Sequence, residues 1–192
     1  MKTFALNIIK IPYILLFLTL SQWVLADVVI SKNIFREVPF SSQYSEDGAL
    51  IRSVDLRSAN DLIPQLESIF KKQLKNKKLE DRNESHITVI TPPEGKTNFF
   101  PGSVGIDKVL STKDLIIKYK SRLKKSKFQI ICVGMQKNIK GNIVFYLVVK
   151  SKDIIKIRKE IAKFVLEKDS SLPFKPVEKY YPHITIGYVG GD

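Results

Sequence analysis

The stretches Ser85-His86-Ile87-Thr88-Val89-Ile90 and His183-Ile184-Thr185-Ile186-Gly187-Tyr188-Val189 decide how the rest of the chain is read. They hold the two histidines of the 192 residues, and each histidine opens the same tripeptide. Both runs are rich in β-branched residues. Turn formers bound them, Thr91-Pro92-Pro93-Glu94-Gly95 after the first and Gly190-Gly191 after the second. Each therefore reads as a strand. Successive side chains of a strand point to opposite faces. His86 and Thr88 then share one face, while Ile87 and Val89 take the other. His183 and Thr185 share a face against Ile184 and Ile186 in the same way.

Working outward, Ala49–Leu56 reads as a strand. A helix follows to about Leu74, capped by Ser58 or Asn60, with Pro64 in its first turn. Leu62, Leu66, Ile69 and Phe70 recur at helical spacing, and Lys71, Lys72 and Lys75 face outward. A charged loop, 76–83, leads to the first histidine strand. Ile106–Leu110 reads as a short strand and Asp114–Lys124 as a helix. Lys127–Met135 and Asn142–Lys150 form a hairpin across Asn138-Ile139-Lys140-Gly141. Lys152–Glu167 is an amphipathic helix, with Ile154, Ile157, Ile161, Phe164 and Val165 on its apolar face. Each half thus offers a strand, a helix, a loop and a strand carrying His-Ile-Thr. The implied fold is α+β and bilobal: two pseudo-symmetric antiparallel sheets around a central cleft, flanked by helices.

The N-terminus reads differently. Lys2 and Lys10 precede an apolar run from Ile11 to Leu20, and Val24-Leu25-Ala26 supplies small residues before a cut. That is the pattern of a cleavable secretory signal. The run is short for a membrane span, which needs about 20 apolar residues. The expected organisation is a signal peptide at 1–26, a lead-in at 27–48 and one domain at 49–192. The product would be exported, periplasmic or secreted, and monomeric, with no stable span after cleavage.

Lys and Arg number 32 against 19 Asp and Glu, a net charge of +13. Residues 1–26 hold two lysines and no acid, so the remainder would carry +11. Such a balance favours polyanionic partners, RNA and nucleotides among them. A lysine-rich solvated surface is the plainer account of 71–78 and 118–125. The one cysteine, Cys132, excludes an intrachain disulfide and reads as a buried, inert thiol in a strand. Cys-x-x-Cys and the usual zinc spacings are absent, so neither a metal nor a cofactor is called for.

Two imidazoles and two hydroxyls facing one cleft suit phosphodiester chemistry. In-line displacement at phosphorus needs a base for the nucleophile and an acid for the leaving oxygen. Imidazoles serve as either near neutral pH. Threonine hydroxyls bond the non-bridging oxygens, where transition-state charge gathers.

On these residues the chain resembles the two-histidine (2H) phosphoesterase superfamily, the group of 2′-5′ RNA ligase-like and cyclic phosphodiesterase proteins. Its signature is a pair of H-x-[ST]-x motifs on strands, here His86-Ile87-Thr88-Val89 and His183-Ile184-Thr185-Ile186. The second lies within Tyr181-Pro182-His183-Ile184-Thr185-Ile186-Gly187. The resemblance covers about residues 49–190. It implies a metal-independent phosphoric diester hydrolase with a catalytic tetrad of His86, Thr88, His183 and Thr185. The substrate would be a nucleotide or RNA bearing a 2′,3′-cyclic phosphate or a 2′-5′ linkage, with ligase activity the lesser expectation. One histidine would then activate water and the other protonate the departing ribose oxygen; we assign base to His183 and acid to His86, roles that swap with reaction direction. Some ligase-like members carry a basic residue soon after the second motif; here Gly187-Tyr188 follow, with no Lys or Arg to the C-terminus. Lys175 and Lys179 are the candidate substitutes for the phosphate, and Tyr181 and Phe99 the candidate substrate-stacking rings. Two other readings stay open: a nucleotide- or RNA-binding module without turnover, and a basic exported surface-interaction protein.

Overall fold

The computed structural model describes residues 8–11, 28–38, 48–81, 83–96, 104–137, 142–174, 178 and 180–190. Its strands are β1 (Ile8–Ile11), β2 (Val28–Ser31), β3 (Leu50–Ser53), β4 (Glu80–Asp81), β5 (His86–Ile90), β6 (Gln129–Lys137), β7 (Ile143–Lys150) and β8 (His183–Val189). Its helices are α1 (Leu56–Asn60), α2 (Ile63–Ile69), α3 (Pro92–Gly95), α4 (Thr112–Lys125) and α5 (Lys152–Lys168). Apart from β1, the expected signal segment lies outside the described residues. No helix among the described residues is long and apolar enough to cross a membrane.

β1 and β2 form a separate antiparallel pair. The other strands form one antiparallel sheet in the order β3-β5-β8-β7-β6, with β4 also paired to β8. This corrects the expectation of two distinct sheets. The histidine strands β5 and β8 are neighbours, joined at Ile87 opposite Ile184. On either side of that seam the outer neighbour is the strand before the preceding helix, β3 next to β5 and β7 next to β8.

Local chemistry explains where the helices start and stop. Asp55, not Ser58 or Asn60, caps α1, its carboxylate accepting from Ser58 N at 2.9 Å. The expected helix to Leu74 is broken twice. Pro64 has no N–H for the carbonyl of Asn60 and its ring crowds that carbonyl, so the chain stops at Asn60 and restarts at Ile63. After Ile69 it continues in turns to Asn76, where Lys75 and Asn76 adopt φ of 51° and 61°. Phe70 and Leu74 are nonetheless buried. Ser111 caps α4 by accepting from Asp114 N at 3.1 Å. Ser151 caps α5 by accepting from Ile154 N at 3.2 Å and donates to Lys127 O at 2.6 Å. The expected strand at Ile106–Leu110 is a 3-10 turn over Ile106–Lys108, entered through Gly105.

One core runs through the described residues. Ile87 and Ile184 are fully buried, together with Phe145 and Leu147 of β7, Leu115 and Leu123 of α4, and Ile154, Ile161 and Val165 of α5. Each such side chain contributes roughly 1.5–3 kcal/mol on leaving water. Phe164, expected on the buried face of α5, is half-buried and carries Lys118 Nζ 5.0 Å above its ring. Cys132 is half-buried rather than buried, and desolvation pushes its thiol up.

Candidate active site

The seam between β5 and β8 sets the site. Ile87 and Ile184 pair and point into the core. By alternation His86, Thr88, His183 and Thr185 all project to the other face. The same register places His86 opposite Thr185 and Thr88 opposite His183, one imidazole and one hydroxyl in each cross-strand pair. The two histidines are then diagonal neighbours, about 7–8 Å apart along the backbone. None of the four is buried: His183 is exposed and the other three are half-exposed. The face opposite the core is thus lined by the four side chains singled out from the two tripeptides.

His183 is held by its own lead-in. Its Nδ1 lies 2.9 Å from Tyr181 O. A carbonyl oxygen only accepts, so in this bond Nδ1 donates. Pro182 O accepts from Val149 N at 2.9 Å, tying the same segment to β7. Tyr146, opposite Thr185, sets its ring edge-on to His183, with centroids 5.4 Å apart. Room for that ring comes from Gly134 on β6, whose absent Cβ would sit 2.3 Å from Tyr146 Cε2.

A second set of contacts lies behind the first motif. Arg158, 2% exposed in the apolar stripe of α5, donates to Val89 O and to both carboxylate oxygens of Glu94. Glu94 Oε2 also accepts from Thr91 N at 2.9 Å and Thr91 Oγ1 at 3.0 Å, which caps α3. α3 itself fits because Gly95 has no side chain: a Cβ there would meet Gly48 O at 1.8 Å. Arg158 stacks on the Tyr180 ring at 4.1 Å, and Tyr180 Oη donates to Thr88 O at 2.8 Å. Burial pushes the Tyr180 phenol well above its usual range, Glu94 adding to the rise and Arg158 opposing it. It therefore stays protonated and able to donate.

Of the other expected site residues, Tyr181 is 76% exposed beside His183. Lys175, Lys179 and Phe99 lie outside the described residues. Sequence reasoning missed Tyr146, Arg158, Glu94 and Lys150. Lys150 ends β7 two residues beyond Val148, the partner of His183, so alternation puts it on the histidine face. It is exposed and flanks the site with a cation. One signal was legible: Arg158 falls between Ile154, Ile157 and Ile161 at core-facing spacing, where a charge must be paired. Among the described residues no three His, Cys, Asp or Glu side chains cluster as metal ligands would.

An antiparallel sheet with flanking helices, presenting a histidine and a threonine from each of two adjacent strands, defines a two-histidine phosphoesterase. Residues 54–192 match the family model described as the Swiss Army Knife, 2H phosphoesterase domain, and the chain belongs to that family. No curated protein and no solved structure matches it.

Proposed function

We propose that the chain is a metal-independent phosphodiesterase that opens a 2′,3′-cyclic phosphate on a nucleotide or RNA end, or cleaves a 2′-5′ linkage. The observation that carries this reading is the pairing of Ile87 with Ile184, from which alternation sets His86 against Thr185 and Thr88 against His183 on one face. A phosphate seated between the strands meets a hydroxyl from each side and an imidazole at each diagonal corner. His183 Nε2 takes a proton from water as the water oxygen bonds to phosphorus. The bond from phosphorus to one ribose oxygen breaks, and His86 protonates that oxygen. The Thr88 and Thr185 hydroxyls donate to the non-bridging oxygens as charge builds there. The Nδ1–H bond to Tyr181 O favours His183 as the base, since it leaves Nε2 to accept.

We also read the strand order as two pseudo-symmetric lobes meeting at the β5–β8 seam, and residues 1–26 as an export signal. Tyr181, exposed beside the site, is positioned to stack on a base.

The test is turnover of 2′,3′-cyclic mononucleotides in EDTA by the wild type and by His86→Ala and His183→Ala. Each substitution should cost at least about 100-fold in kcat. Full activity in the double variant overturns the reading. Nucleotide binding by calorimetry with no product formed would favour a binding module instead.

A further inference from the structure

We propose that Tyr180 and Arg158 are positioning residues that hold the two histidine strands at their working separation. The inference rests on the phosphodiesterase reading above. The observation behind it is how little backbone joins β5 to β8. Ile87 opposite Ile184 is the registered pair between them, whereas β7 and β8 share six registered pairs and β6 and β7 eight. The two half-sites meet across this sparse junction, so something else must fix their spacing.

The side chains supply that tie from both directions. Tyr180 lies three residues before His183, and its hydroxyl reaches back 92 residues to Thr88 O, on the strand that carries the first motif. The neighbouring carbonyl, Val89 O, accepts from Arg158. Arg158 in turn lies against the face of the Tyr180 ring at 4.1 Å and against Phe174 at 4.9 Å. Its fork is fixed by both oxygens of Glu94, and Glu94 is fixed by Thr91 at the end of the same segment. α5, the exit of β5 and the entrance to β8 are thereby joined through one buried guanidinium. Thr88 is a hinge of this arrangement. Its carbonyl is held by Tyr180, while its side chain faces the substrate opposite His183.

A clamp of this kind touches no reacting atom, so its signature is in kcat and in the seam, with global stability a separate matter. Tyr180→Phe keeps the ring under Arg158 and removes only the hydroxyl. With a 2′,3′-cyclic mononucleotide we expect kcat to fall about tenfold with KM within about twofold, because small misplacements of reacting groups cost rate steeply. Arg158→Lys keeps the charge but lacks the planar fork, and should not restore kcat. Val165→Ala, a core change elsewhere on α5, should lower the melting temperature and leave kcat as it was.

Amide hydrogen exchange reads the clamp without any substrate. Ile87 and Ile184 turn their amides outward to β3 and β7, so the reporters of the seam are the flanking amides of Thr88 and Thr185. In Tyr180→Phe these should exchange faster, while those of the β6–β7 hairpin stay as protected as in the wild type. Unchanged kcat together with unchanged exchange at Thr88 and Thr185 overturns the inference. Faster exchange across the hairpin as well also overturns it, since that is general destabilisation. A wild type that turns over nothing, with faster exchange at Thr88 and Thr185 in Tyr180→Phe, removes the proposed reaction and leaves the clamp standing.

Discussion

Replacing Glu94 with alanine takes away the carboxylate that meets both outer nitrogens of Arg158. The Arg158 side chain is 3% exposed, so water does not replace what is lost. Stranding one partner of a buried pair costs about 3–5 kcal/mol. The same carboxylate accepts from Thr91 N and Thr91 Oγ1, and losing a cap of that kind costs about 1 kcal/mol. The two losses share one group and do not add in full, so about 4 kcal/mol is expected. For a domain of this size that lowers the melting temperature by about 8–16 °C. Urea titration followed by far-UV circular dichroism gives the free energy directly. Glu94→Gln keeps an acceptor oxygen and should lose about half as much. The double variant Glu94→Leu with Arg158→Leu should be more stable than Glu94→Ala, because it buries no unpaired charge. A loss below about 1 kcal/mol in Glu94→Ala would show that the guanidinium is solvated or paired elsewhere, and would refute the reasoning.

Further expectations follow from other contacts. Gly95→Ala should cost about 2–4 kcal/mol, because the new Cβ meets backbone at Gly48 O; thermal unfolding would show it. Gly134→Ala meets only the far end of a side chain, the Tyr146 ring, which can swing away. Stability should change by less than about 1 kcal/mol, while cyclic nucleotide turnover falls as the ring leaves His183. Lys150→Ala should raise KM for a cyclic mononucleotide with little change in kcat, an effect that shrinks with added salt. Tyr180 gives a pH dependence. Its folded pKa is raised by burial, so its contribution to stability is full below the unfolded value of about 10 and is lost as pH rises past it. Denaturation midpoints taken between about pH 9 and 12 should fall more steeply in the wild type than in Tyr180→Phe.

Much of this was legible because strand chemistry is local. β8 occupies His183–Val189 as read, and β5 and α5 match within a residue, since alternation and helical spacing were unbroken there. The first-half helix was misjudged at Pro64, where one missing donor outweighed a good apolar stripe. β4 was hidden in a charged loop: Glu80 and Asp81 have no strand preference and pair with Tyr188 and Gly187 only because the sheet edge is there. The number of sheets was illegible for a similar reason, as nothing in two separate tripeptides announces that their strands are neighbours. That His86, Thr88, His183 and Thr185 share one face followed from the paired tripeptides by strand alternation. The contacts behind that face did not, because Tyr180 meets Thr88 across 92 residues and Arg158 meets Glu94 across 64.

The seam at Ile87 and Ile184 also changes what a substrate does to the protein. In the proposed reaction a phosphate gripped by Thr88 from one strand and Thr185 from the other would be a reversible cross-link between halves that share little backbone. Occupancy should therefore stiffen the molecule locally as well as stabilise it by mass action, about 2.7 kcal/mol at a hundredfold excess over Kd. On that proposal, opening a cyclic ester would leave a phosphate with one bridging arm freed, a looser stitch than the one it replaces.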